Sequence, residues 1–168
     1  MEAISPRTSK PINWSTVIMF VLGFWLSGSL ILDCLIVPGM LTTGMMNASG
    51  FASAAYVIFG TFNHVELLCA ATVLAGCLVY RYGYHLTNQI NRKSLLAAAA
   101  LLVISLAYTY IFTPQMSSMG MSLDMFNPTT NISSTMTVMH ITYWGLEITK
   151  FIAATVLLRT FYRSYCSI

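Results

Sequence analysis

Three side chains within otherwise apolar stretches could carry charge-dependent chemistry: Glu66, Glu147 and Lys150. Glu147 and Lys150 are one helical turn apart, so a carboxylate and an amine on the same helix can pair. Glu66, on a separate stretch, is a possible cross-helix partner for that amine. Such a set reads either as a neutralised clamp that keeps helices in register or as part of a proton or ion path. Asp33, Asn63, His64 and His140 complete the intramembrane polar set. At 100° per residue, Trp144, Glu147 and Phe151 fall within about 40° of His140, with Lys150 near their edge. Asn63, Glu66 and Ala70 share a face, whereas His64 points roughly 160–200° from Glu66. His64 and Glu66 therefore cannot both line one narrow groove, and at least one of them packs into a helix interface.

Methionine offers a second chemistry. Nine of the 11 methionines gather toward one end of the apolar stretches: Met40, Met45, Met46, Met116, Met119, Met121, Met125, Met136 and Met139. Thioethers are soft donors suited to Cu(I), and an imidazole can complete such a site. Met116, Met119, Met121 and Met125 with His140 form a candidate outer-face copper site; the alternative is apolar packing at an interface. A third reading places b-type haem between His64 and His140, with Gly60 leaving room for the ring. The same half of the chain holds no Lys or Arg to meet haem propionates. Hydrolase and nucleotide motifs are absent: there is no glycine-rich phosphate loop and no H-E-x-x-H.

The elements that must position these residues follow from composition. The 168-residue chain is 57% hydrophobic and 8% charged, with a mean hydropathy of +0.72, where soluble domains carry about 25% charged residues. Four apolar runs reach the roughly 20 residues a helix needs to cross ~30 Å of hydrocarbon. They predict helices over about 14–37, 52–80, 94–113 and 135–158, in a single four-helix transmembrane domain from 12 to 160. Short polar tails, 1–11 and 161–168, flank it. Only helices or closed barrels satisfy the backbone in lipid, and runs this long are not barrel strands. The fold class is thus an all-α membrane protein, a four-transmembrane-helix bundle. Arg7, Lys10, Arg81, Arg92, Lys93, Arg159 and Arg163 all fall on one side of this topology, and the other two connections hold no basic residue. The positive-inside rule places both termini in the cytoplasm. The first run is longer than a signal-peptide core and contains Asp33, so it reads as a retained anchor. Cys34, Cys69, Cys77 and Cys166 match no zinc spacing and read as packing residues.

Shifted by 76 residues, the chain partly matches itself: Pro38, Met40, Gly44 and Met45 fall on Pro114, Met116, Gly120 and Met121, and Thr61 and His64 on Thr137 and His140. Either two parallel hairpin repeats or two unrelated hairpins with similar turns produce this pattern. Repeats would set His64 and His140 at matching depths.

Trp25-Leu26-Ser27-Gly28 with Pro38, Tyr56-Val57-Ile58-Phe59 with Phe62, Phe112-Thr113-Pro114-Gln115-Met116 and the opening of the fourth helix at His140 resemble the four-helix membrane family typified by transmembrane protein 205. The overall look is closest to members from oxygenic photosynthetic bacteria. The resemblance implies the fold and a bacterial plasma or thylakoid membrane, and it implies no reaction. A more distant likeness to four-helix membrane proteins of copper resistance and haem synthesis accompanies the two cofactor readings, although the N-terminal helix histidine of the haem-synthesis group is missing here. The sequence points to a small non-enzymatic membrane protein, an accessory or interaction subunit. Its partners are the lipid bilayer and other membrane proteins, with no nucleic acid. A Cu(I)-binding or permeation protein and a haem-bearing redox protein are the alternatives.

Overall fold

The computed structural model describes residues 13–45, 50–83, 92–126 and 134–166. Arg7, Lys10 and Met46 lie outside the described residues, as does the side chain of Met125. The described residues form four helical spans, each long and apolar enough to cross a membrane. The first joins α1 (Trp14–Ile31), a π-helical turn (Leu32–Ile36) and α2 (Val37–Thr42). The second is α3 (Phe51–Gly83). The third joins α4 (Arg92–Ala107), a second π turn (Tyr108–Phe112) and α5 (Thr113–Phe126), and the fourth is α6 (Ser134–Cys166). Consecutive spans pack side by side, and α6 returns to α1. This closes an up-and-down four-helix bundle.

Each span turns one stripe inward at alternating three- and four-residue steps. Ser15, Ile18, Leu22, Trp25, Ser29 and Leu32 are buried on the first, and Asn63, Glu66, Ala70, Val73 and Cys77 on the second. Ser94, Ala98, Leu101, Ser105 and Tyr108 follow on the third, and Glu147, Lys150, Ala154, Leu157 and Phe161 on the fourth. This 3.5-residue period suits left-handed bundles in membranes as in water. The opposite faces carry large exposed apolar side chains such as Phe20, Leu68, Leu96 and Ile152, as lipid contact requires. At Gly76 an added Cβ would stand 2.7 Å from Ile18 Cγ1, so the missing side chain is what lets the first two spans approach.

The helix ends differ from the sequence expectation, and proline is the reason. Pro38 and Pro114 read as stops, because proline lacks an N–H and its ring crowds the carbonyl four residues back. Here each follows a π turn. Val37 N–H donates to Leu32 O and Thr113 N–H to Tyr108 O, five residues back. The wider turn accommodates the ring, and the helix continues past it. Residues 114–126, expected in a loop, are therefore helical, and α6 runs to Cys166 through part of the expected C-terminal tail.

The 76-residue self-match extends into the first and third spans. The two π turns stand 76 residues apart, as do the two prolines. The buried positions Ile18, Leu22, Trp25, Ser29 and Leu32 map at that shift onto the buried Ser94, Ala98, Leu101, Ser105 and Tyr108. The second and fourth spans do not keep this register, because Glu66 meets Lys150, 84 residues on.

Candidate functional site

The structure gathers polar side chains from all four spans near the middle of the bundle. Lys150 Nζ lies 2.5 Å from Glu66 Oε1 across the α3–α6 pair and 2.5 Å from Glu147 Oε1 on its own helix. All three residues are at most 2% exposed. Ser29 of α1 donates its hydroxyl to Glu66 Oε1 at 2.8 Å. The ammonium also lies 5.5 Å from the centroid of the Tyr108 ring and 5.7 Å from that of Phe151, within cation–π range. An ammonium in hydrocarbon is costly, and here two carboxylates and two rings surround it.

Asp33, in the first π turn, brings a third carboxyl group. It lies beside Glu147. Tyr108, which opens the second π turn, donates its hydroxyl to Tyr143 O at 3.3 Å, and its ring lies 4.6 Å from that of Tyr143. The π turns thus position two members of the cluster. Among the described residues, Asp33 Oδ2, Glu66 Oε2, Glu147 Oε2 and Trp25 Nε1 are buried without a hydrogen-bond partner.

The surroundings of the cluster differ toward its two ends. Toward the end of the bundle away from the basic residues, Asn63 donates to Thr113 Oγ1 at 2.6 Å and Thr109 to Asn63 O at 3.4 Å. Ser117 donates to Ala52 O at 3.3 Å, nearer that rim. This makes a polar seam between the second and third spans. Toward the basic end the core is mostly apolar, built from Ile18, Leu22, Val73, Leu101, Leu157 and Phe161 among others, with the hydroxyls of Ser15 and Ser94 buried near its rim.

Not every expected site residue joins this cluster. His64 and His140 are both exposed on the outside of the bundle. The reading that His64 or Glu66 packs into a helix interface holds for Glu66 alone. Since Glu66 touches Lys150, counting outward along each helix puts His140 about 12 Å further from the basic end than His64. The two rings neither match in depth nor face a common space, so they do not bracket a haem within one chain. The face expected from His140 through Phe151 is also rotated: Tyr143, Glu147 and Lys150 point inward, while His140 and Trp144 point out. Packing of α1 and α4 against α6 sets this rotation, which a single-helix projection cannot supply.

The methionines are dispersed by the continued helix. Met116 and Met119 lie on neighbouring faces of α5, but Met121 projects about 200° from Met119. A loop could fold these thioethers around one ion; a helix holds them apart. Among the described residues, no three His, Cys, Asp or Glu side chains are placed to hold a metal ion.

Sequence reasoning missed Ser29, Tyr108, Tyr143 and Thr113 as members of the site. Ser29 had a usable signal, a hydroxyl four residues from Trp25 and four from Asp33. Comparison with protein-family models, with curated proteins and with solved structures gives no match.

Proposed function

We propose that this integral membrane protein acts by association, as an accessory or interaction subunit of a larger membrane assembly. One observation carries the reading: His64 stands on the outside of the bundle near the middle of α3. Ionisable side chains at membrane depth ordinarily face a protein interior or a water-filled cavity, so an outward histidine at this depth calls for a protein surface against it. Its geometry suits that role. His64 Nδ1 lies 2.6 Å from Gly60 O, and a carbonyl can only accept, so Nδ1 carries the hydrogen. In the neutral ring Nε2 is then an acceptor open to a partner's donor. His140 repeats the arrangement, with Nδ1 2.8 Å from Met136 O.

The basic residues support an orientation with both termini in the cytoplasm. The resemblance at Trp25–Gly28 and Phe112–Met116 supports membership of the transmembrane protein 205 family and a bacterial plasma or thylakoid membrane. The test is photocrosslinking in the native membrane. A photoreactive residue in place of His64 should give a discrete protein adduct. The same residue in place of Phe20, which is 74% exposed, should label lipid. Lipid adducts alone at both positions would remove the basis for an interaction role.

A further inference from the structure

Among the described residues, three carboxyl groups inside the bundle, Asp33, Glu66 and Glu147, face a single ammonium, Lys150. If all are ionised, two negative charges remain uncompensated where even one is very costly. The geometry also locates the missing neutralising species. Asp33 lies beside Glu147, and among the described residues Asp33 Oδ2 and Glu147 Oε2 are buried without a donor. Ionised carboxylates only accept, so two of them cannot hydrogen-bond without a proton between them. Lys150 is engaged with Oε1 of Glu66 and of Glu147, and the Ser29 hydroxyl is committed to Glu66.

We propose that Asp33 and Glu147 together bind one exchangeable proton in the middle of the bundle, loaded from the end away from the basic residues. The step is a simple addition. A proton from water joins one carboxylate oxygen and forms an O–H···O bond to the other group, and release reverses it. The groups that face the pair are Glu66 from α3, Tyr108 from the second π turn, and Tyr143 and Lys150 from α6. Neither tyrosine carries a charge to replace the proton.

Access from one end follows from the two halves of the core. The Asn63, Thr113, Thr109 and Ser117 seam offers hydroxyl, amide and carbonyl steps toward the far rim. Toward the basic end the path meets Leu22, Ile18, Val73, Leu101 and Leu157, all buried. The site is therefore a dead end that reads the proton activity of one aqueous phase, and it does not conduct across the membrane in this conformation.

Infrared spectroscopy of the full chain in lipid nanodiscs tests this. The wild type at neutral pH should show the carbonyl stretch of a protonated carboxyl group that shifts on transfer to D2O. Asp33→Asn and Glu147→Gln each supply an amide donor where the proton was, and each should lose the band; Glu66→Gln should keep it. Absence of the band in the wild type overturns the proposal without any variant, as does its survival in both Asp33→Asn and Glu147→Gln. For the route, Asn63→Leu combined with Thr113→Val should slow deuterium exchange of the band by about tenfold. An unchanged exchange rate would refute entry along the seam.

Discussion

Lys150 is the residue whose loss should be felt most. Its ammonium serves Glu66 and Glu147 together, and removing one partner of a buried ion pair costs about 3–5 kcal/mol because the other charge stays buried. Lys150→Met should therefore lower unfolding stability in detergent by that order. Adding Glu66→Gln to Lys150→Met should recover part of the loss, since an unpaired carboxylate is removed with it. A double-mutant cycle measured by denaturant titration checks the coupling, and strictly additive losses would show the two groups to be independent. The presence of these charges was evident from the chain alone, because ionisable residues stand out in apolar runs. Asp33 stood out equally, but its contact with Glu147 joins positions more than a hundred residues apart and depends on how the first and fourth spans rotate.

At the scale of the element, the two π turns and one close helix approach shape the bundle. Each π turn accommodates a proline and adds a residue to one turn, so that Leu32 with Asp33, and Tyr108 with Thr109, can all reach the interior side. Proline read in isolation signals a helix end. Only the backbone geometry shows the ladder continuing through it. The approach of α1 to α3 is tested at Gly76, where a Cβ would lie 2.7 Å and 2.9 Å from Cγ1 and Cδ1 of Ile18. Gly76→Leu should destabilise the bundle by about 1–3 kcal/mol through overpacking. Ile18→Ala in the same chain should return part of that by removing the obstructing atoms. Thermal unfolding in detergent measures both, and an unaffected Gly76→Leu melting temperature would contradict the close contact.

For the whole molecule, the first and third spans share a 76-residue register in their π turns and buried stripes, while the second and fourth spans depart from it to bring Glu66 opposite Lys150. Four spans are an even number, so the chain returns to the side of the membrane on which it began. Single cysteines at Ser118 and Asn88 should be labelled by an impermeant thiol reagent from opposite sides of the membrane, with Asn88 cytoplasmic. Labelling of both from one side would be incompatible with four spans.

Sequence alone determined the helical class, the number of spans and the identities of the buried charges. Each follows from local quantities: run length against bilayer thickness, backbone satisfaction in lipid, and the rarity of ionisable groups there. Tertiary structure decided which faces turn inward. His64 and Glu66 are two residues apart, and a helical projection separates them without saying which is buried; packing of α3 against α1 and α4 buries Glu66 and leaves His64 outside. Met116, Met119 and Met121 are open in the sequence to a chelating-loop reading beside interfacial packing, because proline hides the helix that sets Met121 apart from Met119. The pairing of Asp33 with Glu147 and the one-sided polar seam likewise depend on the rotation and depth of helices distant in sequence, which hydrophobic periodicity does not encode.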